Sequence, residues 1–232
     1  MSLRIFKFLF VCNRFNLFTC MIKRSVIFLN GVICKSKIIN YYLSKKSFLV
    51  CVDGAGNYLK RLNIIPDIVI GDLDSITATN LNYFKKRRVE ILRITEQETT
   101  DFEKSLMYLK AHNCSDVTVI GAMSNRTDHT LNNFSVMKRY SDKMNIKMVD
   151  DKFEVSFVTK SINFKTVPGE TVSFIGFPVA RGVTTSGLEF PLNNEDLEFG
   201  IREGTLNRAT SRKIAINFTS GDLLIFKEHH LS

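Results

Sequence analysis

Two aspartates at i and i+2, Asp72 and Asp74, leave the apolar run Ile68–Gly71; Asp53 ends the run Phe48–Asp53, and Asp101 closes the polar segment that follows the run Val89–Ile94. Carboxylates that converge on one crevice repel each other unless a cation lies between them. A hard divalent ion such as Mg2+, whose remaining positions go to water and phosphate oxygens, meets that need. Asp53, Asp72, Asp74 and Asp101 therefore form a candidate metal cluster. Helix capping is the competing use of such residues, and Asp74 and Ser75 suit it better than Asp72 does. The Gly-rich segment Asp53-Gly54-Ala55-Gly56-Asn57 fits either a tight turn or a phosphate cradle. Arg126-Thr127-Asp128-His129 puts a guanidinium, an acid and an imidazole at the start of a helical pattern. There Arg126 could grip phosphate in a bidentate manner while the helix N-terminus adds amide donors. Asp128 is also a natural helix cap and His129 a natural hydrogen-bonding residue. Lys104, one turn after Asp101, suits a solvated helix face or a phosphate contact.

The elements that must position these residues are readable from Met21 onward. Short β-branched runs, Val26–Asn30, Phe48–Asp53, Ile68–Gly71, Val89–Ile94, Val117–Gly121 and Ile146–Val149, alternate with helical spacing at Lys37–Lys45, Gly56–Leu62, Ala78–Lys86, Asp101–His112 and His129–Tyr140. That alternation predicts a doubly wound, mostly parallel sheet covered by helices. In such folds ligands bind at the carboxyl ends of strands, where the four polar clusters Asp53–Asn57, Gly71–Ser75, Glu96–Asp101 and Gly121–His129 fall. Phe102, Leu106 and Leu109 recur at i, i+4 and i+7, Thr99 or Thr100 suits the N-cap, and Glu103 falls at capping-box distance from Thr100. After about residue 151 the pattern becomes strand-like without helices: Phe153–Thr159, Ile162–Phe164, Thr171–Phe177, Gly182–Thr185, Lys213–Phe218 and Asp222–Phe226. The predicted fold is an α/β domain over residues 21–151 followed by a smaller all-β sandwich domain over 152–232.

Residues 1–20 stand apart, with five of the 19 Phe, three basic residues and no acid. Asn13 and Arg14 interrupt the apolar run and no small-residue cleavage site follows, which disfavours a secretory signal. Met21 reads as the start of the native chain, with residues 1–20 a non-native extension or disordered tail. The five cysteines are widely spaced without a C-x-x-C pair, which points away from a zinc site or disulfide framework and toward a reducing, cytoplasmic setting. No run reaches the length of a membrane span. The net charge of +9 points to an anionic partner without choosing one.

In this order and spacing the clusters resemble thiamine pyrophosphokinase, also called thiamine diphosphokinase. The carriers are VCVDGAGNYL (50–59), PDIVIGDLDSI (66–76), TTDFEKSL (99–106), RTDHTLNN (126–133) and TTSGLEFPL (184–192), with the later Gly204 and Asn207. The resemblance implies a homodimer with active sites at its interface, binding ATP and thiamine with Mg2+ as cofactor, and moving the terminal pyrophosphoryl group of ATP to the thiamine hydroxyl with release of AMP. It further implies metal ligation by Asp72, Asp74 and Asp101, with Lys104, Arg126 and Asp128 contacting phosphate or positioning the acceptor. Asp53, Gly54, Asn57, Gly71, Ser75, Thr100 and His129 would line the nucleotide crevice. Ser186, Phe190 and Asn207 would face thiamine, although core packing is the somewhat favoured reading of Phe190.

Three departures from the family pattern stand out. Ala55 replaces a glycine and would be strained at positive φ. Asn125 also replaces a glycine but can visit the left-handed region. Leu206 replaces a hydroxyl residue expected near thiamine. One rival is a pyrophosphokinase of the same architecture acting on another alcohol, such as a pterin. The other is a basic nucleic-acid-binding module, which needs a continuous basic face; the densest run, Lys85–Arg88, is only four residues at a helix end.

Overall fold

The computed structural model describes residues 22–229. The reading of residues 1–20 and of a start at Met21 lies outside the described residues. Six strands make the first half: β1 (Arg24–Phe28), β2 (Phe48–Val52), β3 (Ile68–Gly71), β4 (Glu90–Arg93), β5 (Asp116–Ile120) and β6 (Asn145–Val149). They are parallel and run in the order β4-β3-β2-β1-β5-β6, so the chain reverses its direction of winding between β1 and β5.

Alternation along each strand sends side chains to opposite faces. Ile27, Leu29, Val50, Val52, Ile68 and Ile70 pack with Phe102, Leu106 and Leu109 of α4 (Asp101–Ala111) and Val136 and Met137 of α5 (Thr127–Tyr140). Val26, Phe28, Cys51 and Val69 pack on the other face with α1 (Ser36–Leu43), α2 (Ala55–Arg61) and α3 (Ala78–Lys86). Both faces are thus covered, as an all-parallel sheet requires.

The second half continues the same sheet path. β7 (Phe153–Val158) pairs antiparallel with β6 and with β13 (Ser220–Glu228). β13 pairs with β9 (Thr171–Ser186), which in turn meets β10 (Glu195–Glu198), β11 (Gly204–Arg208) and β12 (Lys213–Asn217), while β8 (Ile162–Lys165) closes on β12. A separate apolar core holds Val172, Phe174, Val183, Leu197, Ile214, Ile216, Leu223 and Ile225. Parallel α/β followed by β-rich structure matches the expected fold class.

Two details differ from the sequence reading. Thr171–Phe177 and Gly182–Thr185 are parts of one 16-residue strand, because pairing with β13 and β10 carries the chain through Pro178. Strands β10 and β11 were not anticipated. Their residues are mostly polar or exposed, and each is short and interrupted by a register shift, so neither shows clean alternation.

Candidate active site

The β2–α2 turn is tight. Asp53 sits at φ +38, a region that few non-glycine residues enter but Asp tolerates. Its buried carboxylate accepts hydrogen bonds from the backbone N–H of Ser75 (3.2 Å) and Ile76 (3.3 Å), lashing this turn to the loop after β3. Asn57 reinforces the same junction, donating to the Ser75 carbonyl (2.9 Å) and accepting from the Thr77 N–H (3.0 Å) and the Asn80 side chain (2.9 Å). Asn57 is therefore a staple between loops rather than a group facing open crevice. Gly71 closes β3 at φ +150, where a Cβ would come within 2.9 Å of Asp53 Cβ and 3.2 Å of Asp101 Oδ2. Only glycine lets these two carboxylates approach across the strand end.

Carboxylate oxygens of Asp53, Asp72 and Asp101 lie within 4.8 Å of one another. An all-oxygen acidic set of this size suits a hard divalent cation. Three of the four acids anticipated as a cluster are thus together. Asp74 lies apart, exposed, with Oδ1 accepting from the Ser75 hydroxyl (2.8 Å). Asp72 accepts from the Gln97 side chain (3.2 Å) and the Asp74 N–H (3.3 Å), and these bonds, Gln97 foremost, hold its carboxyl below the ordinary range. Burial pushes the Asp53 carboxyl up, with Asp101 adding to the effect against the opposing N–H donors.

Lys104 is neither a solvated charge nor a group standing free in the crevice. It is 2% exposed, and its Nζ donates to Asp101 Oδ1 (2.9 Å) and to the Ile94 carbonyl (3.2 Å). Buried behind Asp101, it supplies a counter-charge to the acid group. Thr100 caps α4 as anticipated, accepting from the Glu103 N–H at 3.3 Å. The return half of the capping box is absent. Glu103 instead takes Arg139 Nη1 on both oxygens (2.6 Å) and the Tyr140 hydroxyl (3.3 Å), bracing α4 against α5.

At the start of α5, Arg126 forks onto Asp128 (Nε–Oδ1 3.2 Å, Nη2–Oδ2 2.6 Å), which lowers the Asp128 carboxyl. Both side chains are exposed, as is His129. Ala55 is the first residue of α2 and has no positive φ, so its departure from glycine brings no strain; the unusual backbone falls on Asp53 instead. Asn125 has no positive φ either. Among the described residues, Gln97, Arg93 (Nε to the Asp72 carbonyl, 3.1 Å) and the Glu103–Arg139 brace shape the site without having been expected. Their pairings cross loops and helices, so no local spacing announces them.

Ser186, Phe190 and Asn207 lie in the β-rich half, with β2, β1, β5, β6, β7 and β13 intervening in the sheet between β3 and β9. A single chain does not bring them to the carboxylates. Asn207 is buried and clamps residue 190 from both sides, accepting from the Phe190 N–H (3.0 Å) and donating to its carbonyl (2.7 Å). Phe190 is 64% exposed, which corrects the expectation that it packs in the core. Leu206 beside it is 77% exposed at φ +58.

Comparison with known proteins now bears directly on this arrangement. The family model "Thiamin pyrophosphokinase, catalytic domain" matches residues 39–149, and "Thiamin pyrophosphokinase, vitamin B1 binding domain" matches residues 159–223. The chain belongs to the thiamin pyrophosphokinase family. Thiamine pyrophosphokinase 1 of Arabidopsis thaliana is 29% identical over 173 residues, covering 68% of this chain and 64% of that protein. Thiamin pyrophosphokinase 1 of Caenorhabditis elegans is 27% identical over 198 residues, covering 79% of each. The crystal structure of the Bacillus subtilis thiamine pyrophosphokinase superposes with a TM-score of 0.80 at 21% identity, over 89% of this chain and 99% of that one. Yeast thiamin pyrophosphokinase gives 0.80 at 16% identity, over 90% and 87%. These structures share the fold. The first model ends just before β7 begins, so the family's catalytic part corresponds to the parallel half that carries the acid group.

Proposed function

We propose that this protein is a thiamine diphosphokinase, transferring the terminal pyrophosphoryl group of ATP to the hydroxyl of thiamine. The oxygen of that hydroxyl bonds to the β-phosphorus, the bond from that phosphorus to the oxygen bridging it to the α-phosphate breaks, and AMP departs with that oxygen. The hydroxyl proton goes to solvent or to a nearby base. The observation that carries the reading is the convergence of Asp53, Asp72 and Asp101 at strand ends in a chain that matches both a catalytic and a vitamin B1 binding domain.

These acids would hold Mg2+, which neutralises polyphosphate charge when bound. The chain's own residues do the positioning, which is most of what such a transfer requires. Gly71 permits the close approach of Asp53 and Asp101, Lys104 fixes the Asp101 carboxylate, and Gln97 orients Asp72. Exposed Arg126 carries a fork suited to phosphate.

We assign residues 21–151 to nucleotide binding and catalysis and 152–232 to thiamine binding and dimerisation, with the protein acting in the cytoplasm. Sheet order supports the homodimer. Seven strand spacings of about 4.8 Å separate β3 from β9, so thiamine held near Phe190 and Asn207 meets the carboxylates most readily across two subunits. Among the described residues no helix is long and apolar enough to cross a membrane. Incubation with thiamine, ATP and Mg2+ should yield thiamine diphosphate and one AMP per turnover. Formation of ADP and thiamine monophosphate instead would refute the pyrophosphoryl reading.

A further inference from the structure

The end of the parallel sheet away from the carboxylates holds a concavity of the opposite charge. A cavity of about 80 Å3 lies between the last turn of α1 and the opening residues of β1, β5 and β6. Strand register explains its floor. Val26 pairs with Thr118 and Thr118 with Lys147, so the three stand side by side on one face, with Arg24 and Asp116 paired in the next row toward the amino end. Two residues further along the same strands this face is apolar, at Phe28, Ile120 and Val149, as cover by helices demands. At the cavity it carries a guanidinium, an ammonium and the hydroxyl of Thr118, a residue only 5% exposed. Polar groups on the covered face of a parallel sheet break the local rule that shapes the rest of it, which is a mark of function.

The charges here do not balance within the protein. Arg24, Lys45 and Lys147 line the cavity against a single carboxylate, Asp116, and Arg24 Nε already donates to its Oδ2 at 3.0 Å. The neighbouring Glu154 is held by the Tyr42 hydroxyl (2.6 Å) and by Lys227 (3.3 Å), and Lys147 acts on it only from beyond ion-pair distance. Among the described residues neither Lys45 nor Lys147 forms an ion pair. Their ammonium groups instead lie 5.5 and 5.3 Å from the centroid of one ring, that of Tyr42. Two cations gathered on one ring repel each other unless an anion sits between them.

Size and charge select the occupant. Three cations and one carboxylate leave two positive charges, which a divalent oxyanion neutralises. The volume is far below the roughly 300–1,000 Å3 of clefts that enclose whole small molecules, so one tetrahedral group is what it can take. Arg24, Lys45 and Lys147 offer charge-assisted N–H donors and Thr118 a hydroxyl. The geometry points to a second anion site here, for a single phosphate-sized dianion: inorganic phosphate or the phosphoryl group of a phosphate monoester. It is separate from the catalytic crevice. Ser47 at the cavity and Asp53 in the acid group bracket β2, so about 20 Å of strand lies between the two.

Calorimetric titration of the full chain with inorganic phosphate, at constant ionic strength and without Mg2+ or nucleotide, tests the site. Lys45→Gln and Lys147→Gln should each weaken phosphate about tenfold, the loss of one charge-assisted hydrogen bond, while Arg126→Ala leaves it within about twofold. Amide spectra of the unaltered protein give a reading that no folding defect can confound: phosphate should move the Ser47 and Thr118 N–H signals in step with calorimetric saturation. Glycerol phosphate run beside inorganic phosphate identifies the source, since the tighter of the two names it, and both results support the site. Phosphate affinity unchanged in both lysine variants or lost with Arg126→Ala would overturn it. So would fixed Ser47 and Thr118 signals, or no saturable binding by about 10 mM phosphate.

Discussion

Replacing Lys104 by Met tests whether the buried ammonium is what allows three carboxylates to share one crevice. Lys104 is 2% exposed, and its partner Asp101 retains 24% of its side-chain exposure, with the ion pair at 2.9 Å. Breaking a fully buried pair costs about 3–5 kcal/mol because a bare charge is left behind. Water reaches Asp101, so about 2–3 kcal/mol is the reasoned loss here. For a chain of this size each kcal/mol moves Tm by about 2–4 °C, giving a fall of about 5–10 °C in chelator at neutral pH. Two accompanying results follow from the same geometry. Mg2+ should raise Tm more in the variant than in the wild type, because the acid group has lost its own cation. Adding Asp101→Asn should recover part of the loss, with a coupling of about 1 kcal/mol or more. A single variant within about 1 kcal/mol of wild type, or a double variant that loses the full sum of the two singles, would refute the counter-charge argument.

Asp72→Asn should lower turnover at least about a hundredfold while Tm moves by no more than about 2 °C, since the side chain is only partly buried and Asn can still accept from Gln97. Scanning calorimetry beside the AMP assay checks both halves, and retained activity would remove Asp72 from the metal site. Leu206→Asn should stabilise the protein by about 0.5–1 kcal/mol, because Asn tolerates the φ of +58 that strains Leu and the exposed side chain gives up little packing; a lower Tm would show that Leu206 packs in solution.

Tyr42→Phe should cost about 1–3 kcal/mol by stripping a 2.6 Å hydrogen bond from the half-buried Glu154 carboxylate. Burial works to raise the Glu154 carboxyl, but Tyr42, Lys227 and Lys147 together hold it below its ordinary value. Stability from a depressed carboxyl is present above the unfolded value and lost as pH falls through the folded one. The gap between wild type and variant should therefore be full at neutral pH and shrink below about pH 4.5, as urea unfolding across pH would show.

Much of the parallel half was legible because its signals are local. Four-to-six-residue apolar runs, the Phe102–Leu106–Leu109 stripe and the Thr100 cap all act within a few residues of chain. The acid cluster was legible in kind, since the strand ends at Asp53 and Gly71 must face one crevice. Its membership was not. Asp74 turns to the Ser75 hydroxyl while Asp53, one strand of chain earlier, turns in through an unusual backbone angle. Lys104 could be read as exposed because helical spacing alone does not show that the Ile94 carbonyl waits beneath it. In the β-rich half, β10 and β11 exist through pairing with β9, a contact that polar, register-shifted segments do not advertise.

The ladder that passes from β6 through β7 to β13 makes the two halves mechanically one body. Lys147–Val149 pair residue by residue with Glu154–Ser156, and only the turn at Asp150–Lys152 separates the partners. Such a joint, a continuous hydrogen-bonded ladder with a three-residue turn, resists swinging one half over the other. A chain cut after residue 151 would present β6 as a bare edge, with open backbone groups and the apolar residues Met148 and Val149 beside them. The β-rich half therefore also serves the catalytic half as its edge guard, keeping the parallel sheet from recruiting another strand.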